Sequence, residues 1–105
     1  MESPMTWPIE VADRYGHTIY MTEERWRHAK LHRGMSDDIL LKVLSTLRES
    51  KRRRDKYQFD VFNYEKSFHG LPLGYHKVFV VVKFALNQFD LTKENNFVLS
   101  AYLRY

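Results

Sequence analysis

The sequence predicts an α+β domain with helices and strands segregated along the chain. Three observations predict it. Two helix-start signals, Thr22-Glu23-Glu24 and Ser36-Asp37-Asp38, lie in the first half. Strand-like segments rich in aromatic and β-branched residues fill the second half. The length, 105 residues at 44% hydrophobic and 15% aromatic content, matches one core and one domain over residues 1–105. The expected architecture is a short N-terminal strand or hairpin, two helices, then a three-stranded antiparallel meander completing one sheet, with the helices on one face.

Ile9 to Arg14 and His17 to Met21 flank a turn-like Arg14-Tyr15-Gly16, as in a short hairpin or a bent first strand. Thr22 is a good N-cap, and Glu23 and Glu24 complement the dipole of a helix expected to run to about Arg33 and stop at Gly34. After Ser36, Leu40, Val43, Leu44 and Leu47 recur at helical spacing to about Ser50, which predicts the second helix. Tyr57 to Glu65 then alternates like a strand and slips phase near Val61 and Phe62, where a bulge is expected. Its aromatics Tyr57, Phe59, Phe62 and Tyr64 are assigned to the core. Lys66 to His76, with Gly70, Pro72 and Gly74, reads as a long hairpin loop. Lys77 to Leu86 is apolar on both faces, as in a central strand. A polar loop from Asn87 to Asn96 leads to a last strand. There Phe97, Leu99, Ala101 and Leu103 alternate with Val98, Ser100, Tyr102 and Arg104.

Composition removes several function classes. The longest apolar run, Val78 to Val82, is too short to span a bilayer. Glu2 and Glu10 stand where a secretory leader carries a basic start, so a soluble, cytoplasmic protein is expected. With no cysteine, disulfides, thiolate metal sites and a cysteine nucleophile are excluded. The 17 Lys and Arg outnumber 13 Asp and Glu by enough to favour anionic partners. Five cations fall within Lys51-Arg52-Arg53-Arg54-Asp55-Lys56, a cluster that grips phosphates or simply forms a solvated helix end.

The feature that raises a chemical question is His28 followed four residues later by His32, a spacing that puts both imidazoles on one face of the first helix. Helical angles place Trp26 and Ala29 on the buried side, His32 at its edge and His28 farther out. Three readings compete: half-exposed histidines without a role, two ligands of a zinc site that has no evident third ligand, and acid–base chemistry beside Arg25, Arg27 and Lys30.

The run from Ile19 through Glu24-Arg25-Trp26-Arg27-His28 to His32, the acidic helix start after it, the valine-rich strand and the closing Val98-Leu99-Ser100-Ala101-Tyr102 together resemble the phage-associated Barnase/EndoU/colicin/RelE-like (BECR-fold) nuclease superfamily. The similarity spans most of the chain from about Asp13. Arg33 follows His32 where members commonly carry proline. The resemblance implies a RelE/BECR-like fold and metal-independent RNA cleavage, in which the ribose 2′-hydroxyl attacks the adjacent phosphate and the 5′-oxygen leaves. It implies His28 or His32 as base or acid, Ser100 and Tyr102 as hydrogen-bond donors to phosphate, and Arg25, Arg104 or Lys77 as charge stabilisers. Arg52, Arg53 and Arg54 are RNA-binding candidates from their charge, and neither a cofactor nor a metal is implied. The expected partners are RNA, tRNA or mRNA, and an inhibitory antitoxin or immunity protein, with no membrane. A silent nucleic-acid-binding or protein-interaction module with the same fold is the alternative.

Overall fold

The computed structural model describes residues 6–87 and 89–105; Glu2, and Gln88 within the expected loop from Asn87 to Asn96, lie outside them. Strands β1 (Ile9–Ala12) and β2 (Thr18–Met21) pair as an antiparallel hairpin. The Asp13 carboxylate shapes its turn by accepting the Tyr15 and His17 backbone N–H groups, each at 2.9 Å. Helix α1 (Glu23–Ala29) starts on Thr22, whose Oγ1 accepts the Arg25 N–H at 3.2 Å, and buries Trp26 and Ala29.

Helix α1 stops at Ala29, short of the expected Arg33. The chain leaves the helix in a tighter turn, in which Leu31 N–H donates to His28 O and His32 N–H to Ala29 O, each at 3.1 Å. Gly34 has φ +83°, and a Cβ built on it would lie 3.0 Å from Leu103 Cδ1 and 3.3 Å from the Tyr75 ring. Gly34→Ala is therefore expected to lower stability by about 2 kcal/mol in chemical denaturation. The next segment is a 3₁₀ turn, Asp37–Ile39, so α2 is confined to Leu40–Glu49. Ser36 makes no side-chain cap; instead Asp37 Oδ1 accepts Trp26 Nε1–H at 2.8 Å and Lys30 Nζ–H at 2.9 Å, tying the turn back to α1. Leu40, Val43, Leu44 and Leu47 form the buried stripe of α2.

Six further strands follow: β3 (Arg52–Arg54), β4 (Val61–Ser67), β5 (Lys77–Lys83), β6 (Leu86–Asn87), β7 (Asp90–Glu94) and β8 (Asn96–Arg104). The main sheet has the order β1-β2-β8-β5-β4-β3, and β6 and β7 make a separate ribbon. This overturns the expected hairpin-plus-three-strand meander, although the class remains α+β. The main sheet is mixed, because β2 runs parallel to β8 at Ile19↔Asn96 and Tyr20↔Phe97. The basic cluster is an edge strand paired with Tyr64 to Phe62 rather than a helix end, and its cations discourage further pairing at that edge. The polar segment Asn87 to Asn96 supplies the ribbon and the start of β8 instead of a plain loop.

Two departures of the strands from the expected pattern bear on the site. The strand expected from Tyr57 begins only at Val61, because the Asp55 carboxylate accepts the Tyr57 and Gln58 N–H groups and holds a turn. Tyr57 and Phe59 are consequently 86% and 79% exposed and not core, whereas Tyr64 is buried and Phe62 packs against the core. β4 pairs with β5 in unbroken register, and the bulge lies instead between β5 and β8, where Val81 and Val82 face Ser100 and Val98 and Leu99 is the extra residue. It reverses the phase of β8, so Val98, Ala101 and Leu103 face inward together.

The core lies on one sheet face, where Val78, Val80, Val82, Val98, Ala101 and Leu103 meet α2 and the Trp26 side of α1. On the opposite face, Phe79, Val81, Ser100 and Tyr102 are half-buried. Among the described residues no helix is long and apolar enough to cross a membrane.

Candidate active site

Antiparallel pairing arranges the second face of the sheet in rows. Glu65 pairs with Phe79 and Phe79 with Tyr102; on one side lie Ser67, Lys77 and Arg104, and on the other Asn63, Val81 and Ser100. Side chains in such a row share a face and stand about 5 Å from their neighbours. The bulge at Leu99 matters here, because it lets Ser100 and Tyr102 share this face while Val98 turns into the core.

β2 covers only the start of β8, and α1 packs against that strand. The turn after α1 then carries His32 to Ser100 and Tyr102. His32 Nε2 and Ser100 Oγ lie 3.3 Å apart in a hydrogen bond. The hydroxyl donates when this nitrogen is unprotonated and accepts when it is protonated. The His32 ring sits 5.4 Å from the Tyr102 ring, which sits 5.0 Å from Phe79. Arg104 completes the run, its guanidinium 4.9 Å over Phe79.

Beyond Phe79 a cleft of about 790 Å³ opens, bordered by β3 and the turn after it and reaching Asn63, Glu65, Phe79 and Arg104. Lys51, Arg53, Arg54 and Lys56 contribute its positive charge and Tyr57 stands beside them. Two carboxylates stand among these cations, Asp55 and Glu65, the latter 3.2 Å from Lys77 Nζ and 3.9 Å from Arg104.

His32, Ser100 and Tyr102 are thus brought together, with Arg104 and Lys77 in the adjoining row. His28 is not with them. Because α1 ends at Ala29, the two histidines do not share a helical face, and the exposed His28 ring makes no hydrogen bond among the described residues. Arg25 is exposed on α1, and no contact ties its side chain to this face. Among the described residues no three His, Asp or Glu side chains are grouped as metal ligands.

The three arginines of β3 divide. Arg53, opposite Asn63, shares the site's face, and Arg54 borders the cleft with its guanidinium 5.3 Å from Phe62. Arg52 borders the cleft too, but its guanidinium is held by Asp13 at 2.9 Å and lies 4.4, 4.6 and 4.9 Å from the rings of Tyr15, Phe62 and Phe84. Tyr64 donates its hydroxyl to the same carboxylate at 2.6 Å. Burial pushes the Asp13 carboxyl upward, yet the hydrogen bonds from Tyr64 and the turn N–H groups, with the charge of Arg52, hold it below the usual carboxylate range. Burial, with the hydrogen bond to Asp13, pushes the Tyr64 phenol well above its ordinary value.

Sequence reasoning missed Phe79, Glu65 and Asn63. Strand alternation does place Phe79 between the buried Val78 and Val80, and therefore on the face opposite the core. Glu65 and Asn63 carried no signal of their own, since their role depends on cross-strand register.

No family model, curated protein or solved structure matches the chain.

Proposed function

We propose that this protein is a small metal-independent endoribonuclease whose chemistry takes place at His32, Ser100 and Tyr102. The observation that carries the reading is the 3.3 Å contact between His32 Nε2 and Ser100 Oγ, on a sheet face that continues into a basic cleft. An imidazole exchanges protons near neutral pH, and cations beside it attract phosphate. In the proposed reaction the ribose 2′-oxygen bonds to phosphorus and the bond from phosphorus to the 5′-oxygen breaks. The products are a 2′,3′-cyclic phosphate and a 5′-hydroxyl. The 2′-hydroxyl gives its proton to a base, and the 5′-oxygen receives one from an acid. His32 serves one end of this displacement; Ser100 and Tyr102 donate hydrogen bonds to the phosphate oxygens, and Arg104 and Lys77 offset the growing charge.

The test is incubation with tRNA and with unpaired RNA in EDTA, reading product ends. Cyclic phosphate ends formed by wild type and lost in His32→Ala support the proposal. Cleavage that stops on chelation, or continues unchanged in His32→Ala, sinks it. A second reading, a catalytically silent RNA-binding module, is favoured by the single histidine at the site. It predicts binding without product.

Both readings expect Arg53→Ala and Arg54→Ala together to weaken RNA binding and to flatten its salt dependence, by about one phosphate contact each. Arg52→Ala is expected to lower the denaturation midpoint instead, since its guanidinium answers Asp13. Fluorescence anisotropy across a salt series, beside denaturation curves, separates the two effects. A cytoplasmic setting and an inhibitory partner presenting an acidic segment to the cleft belong to the same proposal.

A further inference from the structure

We infer that His32, Tyr102 and Phe79 form a base-stacking rail, and that it selects unpaired RNA by leading the strand from the His32–Ser100 contact into the basic cleft. The inference rests on the ribonuclease reading for where the strand is cut, but not for how the strand is bound.

Three observations carry it. The rings are contiguous, at 5.4 Å and 5.0 Å between centroids, and run across the sheet from the turn beside β8 to β5. They lie on the face away from the core, where Phe79 and Tyr102 keep part of their surface in contact with solvent. At the far end of the rail the planar guanidinium of Arg104 lies 4.9 Å over Phe79, so a flat group already fits there. Arg104 is only 3.9 Å from Glu65, beyond hydrogen-bond range, and its side chain is half exposed, so an arriving base displaces it toward a phosphate at small cost.

The chemistry of unpaired nucleic acid matches this layout. Every base has a π-face, so stacking on aromatic rings is tolerant of sequence, and a positive groove beside the rings follows the backbone. In a duplex those faces are stacked on neighbouring bases and unavailable to a protein ring. From β8 to β3 the strand crosses three strand spacings, about 14 Å, so the binding site extends well beyond the reacting phosphate.

The test uses a mixed-sequence 12-nucleotide RNA carrying 2′-O-methyl groups throughout, which cannot be cut by 2′-hydroxyl attack, with one 2-aminopurine at its centre. Binding is read by anisotropy and stacking by quenching of 2-aminopurine, for the strand alone and annealed to its complement. Wild type is expected to bind the single strand at least about tenfold more tightly than the duplex and to quench the reporter. Phe79→Leu, which keeps apolar bulk and loses the ring, is expected to weaken single-strand binding about tenfold and to abolish quenching, while leaving duplex binding unchanged. Phe79→Trp is expected to restore both. Equal affinity for strand and duplex, or a Phe79→Leu protein that binds and quenches like wild type, overturns the inference. Because this strand is uncleavable, a failure of the ribonuclease reading appears separately, as unmodified RNA that binds and survives intact.

Discussion

His32→Ala is expected to slow RNA cleavage by about 10²–10⁴-fold, the usual contribution of a positioned acid or base, while leaving the fold intact. The fold should survive because His32 is exposed in the turn after α1 and its ring makes one hydrogen bond, to Ser100. His28→Ala is the internal control. It removes an imidazole of the same chemistry from the exposed side of α1, and the rate should not change. The pH–rate profile assigns the role of His32: a rising limb that is lost in His32→Ala identifies a base, and a falling limb that is lost identifies an acid. Ser100→Ala should give a smaller loss, since it removes one hydrogen-bond donor and leaves the imidazole. An equal loss in His28→Ala and His32→Ala would contradict the geometry, because it requires the two rings to act together.

Asp13→Asn is expected to destabilise the protein by about 3 kcal/mol at neutral pH, the cost of leaving a desolvated cation without its partner. The Asp13 side chain is fully buried, and that of Arg52 is 18% exposed among three aromatic rings. The substitution keeps the shape of the side chain and an oxygen for the turn N–H groups, while an NH2 replaces the Oδ2 that accepts from Arg52 and Tyr64, so the loss combines the charge with those two hydrogen bonds. Its pH dependence has a definite sign. The carboxyl of Asp13 is held below its ordinary value in the folded chain. Its contribution is therefore complete above the unfolded carboxylate pKa, near 4, and disappears as pH falls through the lower folded value. Wild type and Asp13→Asn should differ by a constant amount from about pH 5 to 8 and converge under more acidic conditions, measured as denaturation midpoints across pH. Asp37, Asp55, Asp60, Asp90 and Glu49 are held low as well, so both proteins lose stability in acid. The difference between them reports Asp13.

The Asp13 network also explains why a run of five cations in six residues was only partly informative. All three arginines of β3 look alike in sequence. Pairing with β4 turns Arg53 toward the site face, while Arg52 is committed to a carboxylate 39 positions earlier in the chain. The aromatics behave the same way. Tyr57 and Tyr64 both sit in a strand-like stretch, but a side-chain-capped turn at Asp55 leaves the first in solvent, and the core takes the second.

Local signals in the sequence determined the N-cap of α1, the buried stripe of α2 and the valine-rich central strand, and narrowed the first segment to a hairpin or a bent strand, because each depends on residues within a few positions of one another. The nuclease resemblance singled out His28, His32, Ser100 and Tyr102 together. Only the tertiary structure decided which of these meet. α1 ends at Ala29, the Asp37 carboxylate ties the segment after it back to Trp26 and Lys30, and His28 and His32 no longer share a helical face. A bulge at Leu99 shifts β8 by one residue and keeps Ser100 and Tyr102 outside the core. Cross-strand register sets Phe79 beside Tyr102 and Glu65 beside Phe79. The physical reason is common to all three: helix termination, bulge position and register are fixed by contacts between residues far apart in the chain, and a local pattern carries no record of them.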